Sequence, residues 1–174
     1  MVLDIPGKLL GQSDVRETPA SSSSANAFTF DTDDFTNVVG AISLKNKTSY
    51  LTVPPTAFTT ATPDVDDVSI DVGEIISNAA SIQFRAPAYL PNGAVVTGVI
   101  LYGNISDETW ALYQVKLTDG TAVSMATAVF NTEDTSITNA TIDNSLYSYN
   151  LATSGIDSTD KIYGARITYT TDYI

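Results

Sequence analysis

Short apolar runs with a period of two, broken by turn residues about every 8–12 positions, fill this chain from about residue 36 to its end. In Lys161-Ile162-Tyr163-Gly164-Ala165-Arg166-Ile167-Thr168-Tyr169, the residues Tyr163, Ala165, Ile167 and Tyr169 fall at every second place. A strand carries all four on one face and turns Arg166 and Thr168 to the other. No segment repeats its apolar residues convincingly at the 3.6-residue period of an amphipathic helix, so the chain must close its core with strands.

Further runs read the same way. Residues 38–44 and 50–53 form two strands across a turn at 45–48, ended by Pro54-Pro55. Strands follow over 68–72, 82–86 and 94–102, with Leu90-Pro91-Asn92-Gly93 as a turn before the last of these. Residues 109–117 and 122–130 are joined by Asp119-Gly120, the strongest hairpin signal present. A polar loop over 131–136 leads to strands at 137–142, 146–153 and 161–170, and residues 74–78 suit a short helical turn. The run 95–102 is apolar on both faces, which requires either a covered outer face or a subunit interface. The fold expected is an all-β antiparallel sandwich of jelly-roll type over residues 36–174.

Residues 1–35 differ. A short apolar patch leads into Pro19-Ala20-Ser21-Ser22-Ser23-Ser24, a run with nothing to bury, so this segment reads as an extended N-terminal arm. Leu3, Ile5, Leu9 and Leu10 are its candidate contacts to a neighbouring subunit or support, the plain alternative being a tail without a role. The N-terminus lacks a basic stretch followed by a long apolar one, and no segment approaches the ~18 apolar residues of a membrane helix. The expectation is a chain made in the cytosol that meets no membrane.

Charge and composition narrow the chemistry. A net charge of -12 with no Lys/Arg cluster repels phosphate backbones, so nucleic acid is not an expected partner. The chain has no cysteine and no histidine. Disulfides, thiolate metal sites, Ser-His-Asp and Cys-His nucleophile systems and most zinc sites go with them. A carboxylate pair flanking a cleft would still suit glycoside hydrolysis, but the acids fall in turn-like contexts, so neither an enzyme nor a cofactor is expected. The clusters Asp31/Asp33/Asp34 and Asp64/Asp66/Asp67 have the hard oxygens that calcium takes, yet neither has EF-hand spacing, and both read as solvated loops. The sequons at Asn46, Asn104 and Asn139 read as chance matches.

Trp110, the only tryptophan, has two readings: a core side chain, or an exposed platform with Tyr102 and Tyr113 for a sugar or another protein. The segments Leu90-Pro91-Asn92-Gly93-Ala94-Val95-Val96-Thr97, Ala140-Thr141-Ile142-Asp143-Asn144, Tyr147-Ser148-Tyr149 and Ile162-Tyr163-Gly164-Ala165-Arg166-Ile167-Thr168-Tyr169 resemble an uncharacterised β-sandwich module of bacterial, archaeal and phage-encoded proteins. That resemblance covers roughly the last half of the chain. It implies a building or display module with no active site to carry over. The function expected is a non-enzymatic structural protein of a large assembly, foremost a phage-type capsid decoration (cement) protein. Such a protein is a homo-oligomer, a trimer first, bound to other structural proteins at a virion surface after assembly in the host cytoplasm. The alternative is a receptor- or carbohydrate-binding module of a tail fibre or cell-surface adhesin, extracellular or at the cell surface.

Overall fold

The computed structural model describes residues 46–63 and 65–171. Ten strands appear in chain order: β1 (Lys47–Val53), β2 (Thr59–Thr60), β3 (Val68–Ile70), β4 (Ile75–Ser77), β5 (Phe84–Pro87), β6 (Val95–Gly103), β7 (Thr109–Lys116), β8 (Ala122–Val129), β9 (Tyr147–Thr153) and β10 (Lys161–Thr171). The one helical element among the described residues is a single 3-10 turn, Pro55–Ala57. All strand pairs are antiparallel and divide into two five-stranded sheets. The expectation of an all-β antiparallel protein holds. Residues 1–45, which include the expected arm and the expected strand over 38–44, lie outside the described residues.

In the first sheet β10 is the axis. It pairs with β6 along one edge and with β1 along the other, until Pro54-Pro55 turns the chain away and β4 takes up the first two positions of β10, Lys161 and Ile162. Proline cannot donate to the ladder, so the exchange of neighbours falls where the sequence breaks. The second sheet runs β2-β5-β9-β7-β8. Inward residues of both sheets, among them Phe84, Leu101, Trp110, Leu112, Leu151, Ile162 and Ile167, form one buried cluster with Phe58 from the loop before β2.

Two bulges, one in β10 and one in β6, correct the simple alternation. Ile162 pairs with Gly103 and Gly164 with Tyr102, so Tyr163 is an extra residue. It therefore points outward, half exposed, and Ile162 takes the inner place. Gly164 sits at φ +131 with the Val53 carbonyl 2.7 Å from where a Cβ would stand, a position for glycine alone. A second bulge at Thr97 restores the register, so that Val96 and Val99, three apart, share the inner face. A third, at Met125 in β8, buries Met125 and Ala126 side by side.

Strand β6 is buried on both faces within the chain itself. Residues 131–142 run antiparallel along its free edge: Asn131 N–H donates to the Leu101 carbonyl (2.8 Å), Val99 and Asp134 exchange both bonds, and Val96 N–H donates to Ala140 (2.9 Å). The Asn131 side chain adds a further rung, its Oδ1 accepting from Gly103 N–H (3.2 Å) and its Nδ2 donating to the Gly103 carbonyl (3.0 Å). Over the outer face Glu133 reaches to Gly98, where a Cβ would stand 2.8 Å from its Oε1, and pairs with Arg166 at 3.3 Å. The same segment ties to the opposite sheet, since Asp134 Oδ2 accepts from Thr127 N–H (2.9 Å) and Met125 O from Thr138 N–H (2.8 Å). It thus closes one side of the sandwich and covers an edge open to unwanted pairing.

Two expectations are corrected. Residues 137–142 are not a regular strand, because only an isolated bridge, Val95 with Thr141, joins them to β6. The helical turn expected at 74–78 is instead β4, whose Ile75 and Ser77 are buried on one side and whose register with β3 makes a hairpin. The Asp119-Gly120 hairpin is present: Gly120 adopts φ +73, and Asp119 Oδ1 accepts from Thr121 N–H at 3.0 Å.

Candidate functional site

The acidic side chains show first how this surface is used. Asp66 Oδ2 accepts from the Thr62 backbone N–H (3.0 Å) and hydroxyl (2.8 Å). Asp67 accepts from Asn78 Nδ2 (3.0 Å), and Asp71 from Val72 N–H (2.6 Å). Asp134 accepts from Thr127 and Ser136, and Asp143 from the Ser145 N–H (2.9 Å) and hydroxyl (2.6 Å). Glu74 meets Lys161 at 2.8 Å. Asp66, Asp71, Asp134 and Asp143 accept from backbone N–H groups, the local role for which Asp is suited, whereas Asp67 and Glu74 meet side chains. Hydrogen bonds from Thr121, with Lys116 nearby, hold the Asp119 carboxyl down at about 2, and Ser145 lowers that of Asp143. Among the described residues no group of three or more acids is arranged to hold a metal ion. Asp31, Asp33, Asp34 and Asp64 lie outside them.

Where the 104–108 turn meets the loop before β10, four further acids gather. Glu108 is raised, first by burial and then by its hydrogen bond to Asp107, and its Oε2 is buried without a partner. Asp160 is raised by burial and then by the charges of Asp157 and Asp107.

The aromatic residues singled out in the sequence are not brought together. Trp110 is 1% exposed, in the core, with its Nε1 donating to the Val129 carbonyl at 3.0 Å. Tyr102 is half-buried on β6 in the first sheet, and Tyr113 is half-buried on β7 in the second. The arm residues Leu3, Ile5, Leu9 and Leu10 lie outside the described residues.

A different aromatic surface is present, which sequence reading did not single out as a site. After β5 the alternation continues past the strand: Ala86, Ala88 and Leu90 are buried while Pro87, Tyr89 and Pro91 are exposed, Tyr89 at 83%. Beside them lie Ser148 and Asn150 of β9, Tyr147 at its start, and Leu117 from the turn after β7. Together these line an open groove of about 650 Å³. Its walls are tied down. Asn144 Nδ2 donates to the Leu90 carbonyl (2.9 Å), Asn144 N–H to Asn92 Oδ1 (2.8 Å), and Asp143 N–H to the hydroxyl of buried Tyr149 (2.8 Å). Three of the segments that carried the family resemblance, 90–97, 140–144 and 147–149, therefore meet here. The legible signal was Tyr147-Ser148-Tyr149, both of whose tyrosines line the groove, Tyr149 buried in the core and Tyr147 half-buried against it.

No protein-family model and no curated protein matches the chain. Among solved structures it is similar to a chain of infectious bursal disease virus, Gx strain, at 13% identity and a TM-score of 0.32. The match covers 84% of this chain and 36% of that one, so this chain spans about a third of its length. A superposition so loose sets no function. No helix among the described residues is long and apolar enough to cross a membrane.

Proposed function

We propose that this chain is a non-enzymatic structural protein of a virus particle, of the capsid-decoration kind, built on a jelly-roll-type sandwich and attached through residues 1–24. The observation that carries this reading is the use of the acids. Asp66, Asp71, Asp119, Asp134 and Asp143 each accept from loop or turn N–H groups, so they make a rigid scaffold instead of flanking a cleft. A scaffold that supplies a buried core between Val53 and Ile167 suits a protein that gains further stability by binding an already formed lattice. The apolar residues Leu3, Ile5, Leu9 and Leu10, with the serine run behind them, give reach and anchorage to the support. The particle-bound form is a homo-oligomer, a trimer first. Its contacts do not need the free edge of β6, along which residues 131–142 of the same chain run.

The test is quantitative mass spectrometry of purified particles from the source. The reading predicts this chain in a fixed copy number relative to the major shell protein. Particles that lack it, or carry it at trace level, would overturn the reading.

A further inference from the structure

We propose that the groove at Tyr89, Leu117 and Tyr147 binds a neutral glycan. The chain carries a net charge of -12, yet among the described residues none that lines the groove is charged. A charged ligand entering it would lose hydration without gaining an ionic partner, whereas a polyhydroxyl ligand needs none. Sugar rings offer apolar C–H faces and hydroxyl edges. The groove matches both, with two tyrosine rings and Leu117 for the faces, and Ser148 and Asn150 as donors and acceptors for the edges.

Exposure makes the aromatic residues informative. Tyr89 is 83% exposed and Leu117 60%, while the only tryptophan and the residues flanking Tyr89, Ala88 and Leu90, are buried. Tyr89 follows β5 and Leu117 follows β7, on either side of β9, and large apolar groups gathered at a surface mark contact sites. The backbone that presents Tyr89 is anchored on both sides by those buried neighbours, and the Asn144 bond to Leu90 fixes the turn beyond. The site is thus formed before any ligand arrives, which limits the ordering cost of binding. Its volume falls within the ~300–1,000 Å³ of small-ligand sites, and it is open to solvent. This inference is independent of the particle role, because glycan binding and particle incorporation are read by different assays.

The experiment titrates the full chain with maltohexaose, cellohexaose and chitohexaose at millimolar concentration by calorimetry, with polygalacturonate as a charged contrast. At least one neutral probe binds, and polygalacturonate does not. Tyr89→Ala and Leu117→Ala each weaken that binding by about tenfold, as truncating a central contact does. Tyr89→Phe retains it, and Asn150→Asp, which puts a charge into the groove, weakens it. Both alanine variants replace surface side chains, so their melting temperatures should match the parent. The proposal is overturned if no neutral probe binds, if polygalacturonate binds as well as they do, or if Tyr89→Ala binds like the parent. It is equally overturned if Tyr89→Ala changes the mass by light scattering, which would make the groove a contact between copies of this chain.

Discussion

Replacing Asp134 by alanine should loosen the side of the sandwich that residues 131–142 close. The carboxylate accepts from Thr127 N–H at 2.9 Å and from Ser136 N–H at 2.8 Å, linking the segment on β6 to β8. A hydrogen bond to a charged group contributes ~1.5–3 kcal/mol when sheltered, and water will replace part of it here because Thr127 and Ser136 are exposed. The pair should therefore cost about 2 kcal/mol. For a chain of this length that is a fall in Tm of about 4–8 °C. Asp71→Ala is the control, since Asp71 serves only the adjacent Val72 N–H, and it should stay within ~0.5 kcal/mol of the parent. Thermal unfolding by circular dichroism gives the difference, and amide exchange should show Thr127 and Val99 losing protection together. If Asp134→Ala melts with the Asp71→Ala control, the segment does not close the sandwich through this carboxylate.

Trp110→Ala removes the largest buried side chain and its bond to Val129, and should cost ~3–5 kcal/mol by chemical denaturation; a loss below ~1 kcal/mol would contradict its core placement. The pH profile should have a maximum on the acidic side of neutral. Glu108 and Asp160 have raised folded-state values, so the folded state binds their protons more tightly and gains stability as pH falls through those values toward the unfolded ones. Asp119 and Asp143 are lowered, so their contribution is present above the ordinary value of 3.8 and is lost below it, for Asp119 as pH falls through about 2. A Tm that falls steadily from pH 7 to pH 4 would refute this, and Glu108→Gln with Asp160→Asn should flatten the rise.

The strand content was legible because apolar alternation reports which side of a strand is covered. The ends of β7 and β8 fell within one residue of the pattern, and Asp119-Gly120 marked their turn. The pattern misled at bulges, because one inserted residue reverses the face of everything beyond it. Tyr163 thus traded places with Ile162, and the signal available was Gly164 beside it. The helical turn expected over 74–78 failed for another reason: a three-residue strand is too short to show a period, and its pairing with β3 decides it. The two-sided apolarity of β6 was visible in the sequence. Its cover was not, since Asn131, Glu133 and Asp134 read as polar loop, and the bonds of Asn131 to Leu101 and of Asp134 to Val99, with the approach of Glu133 to Gly98, join positions 30 or more residues apart. The groove was hidden for the same reason: Tyr89 and Leu117 acquire meaning only when β5, β7 and β9 are laid side by side.

The measurement that bears most directly on the account is particle incorporation of a chain lacking residues 1–24, followed alongside its melting temperature. The core seen between Val53 and Ile167 predicts a protein that still folds and melts close to the parent. The attachment role of Leu3, Ile5, Leu9 and Leu10 predicts that it no longer joins the particle. A shortened chain that decorates particles at full occupancy would contradict the account, and one that fails to fold would place residues 1–24 within the core.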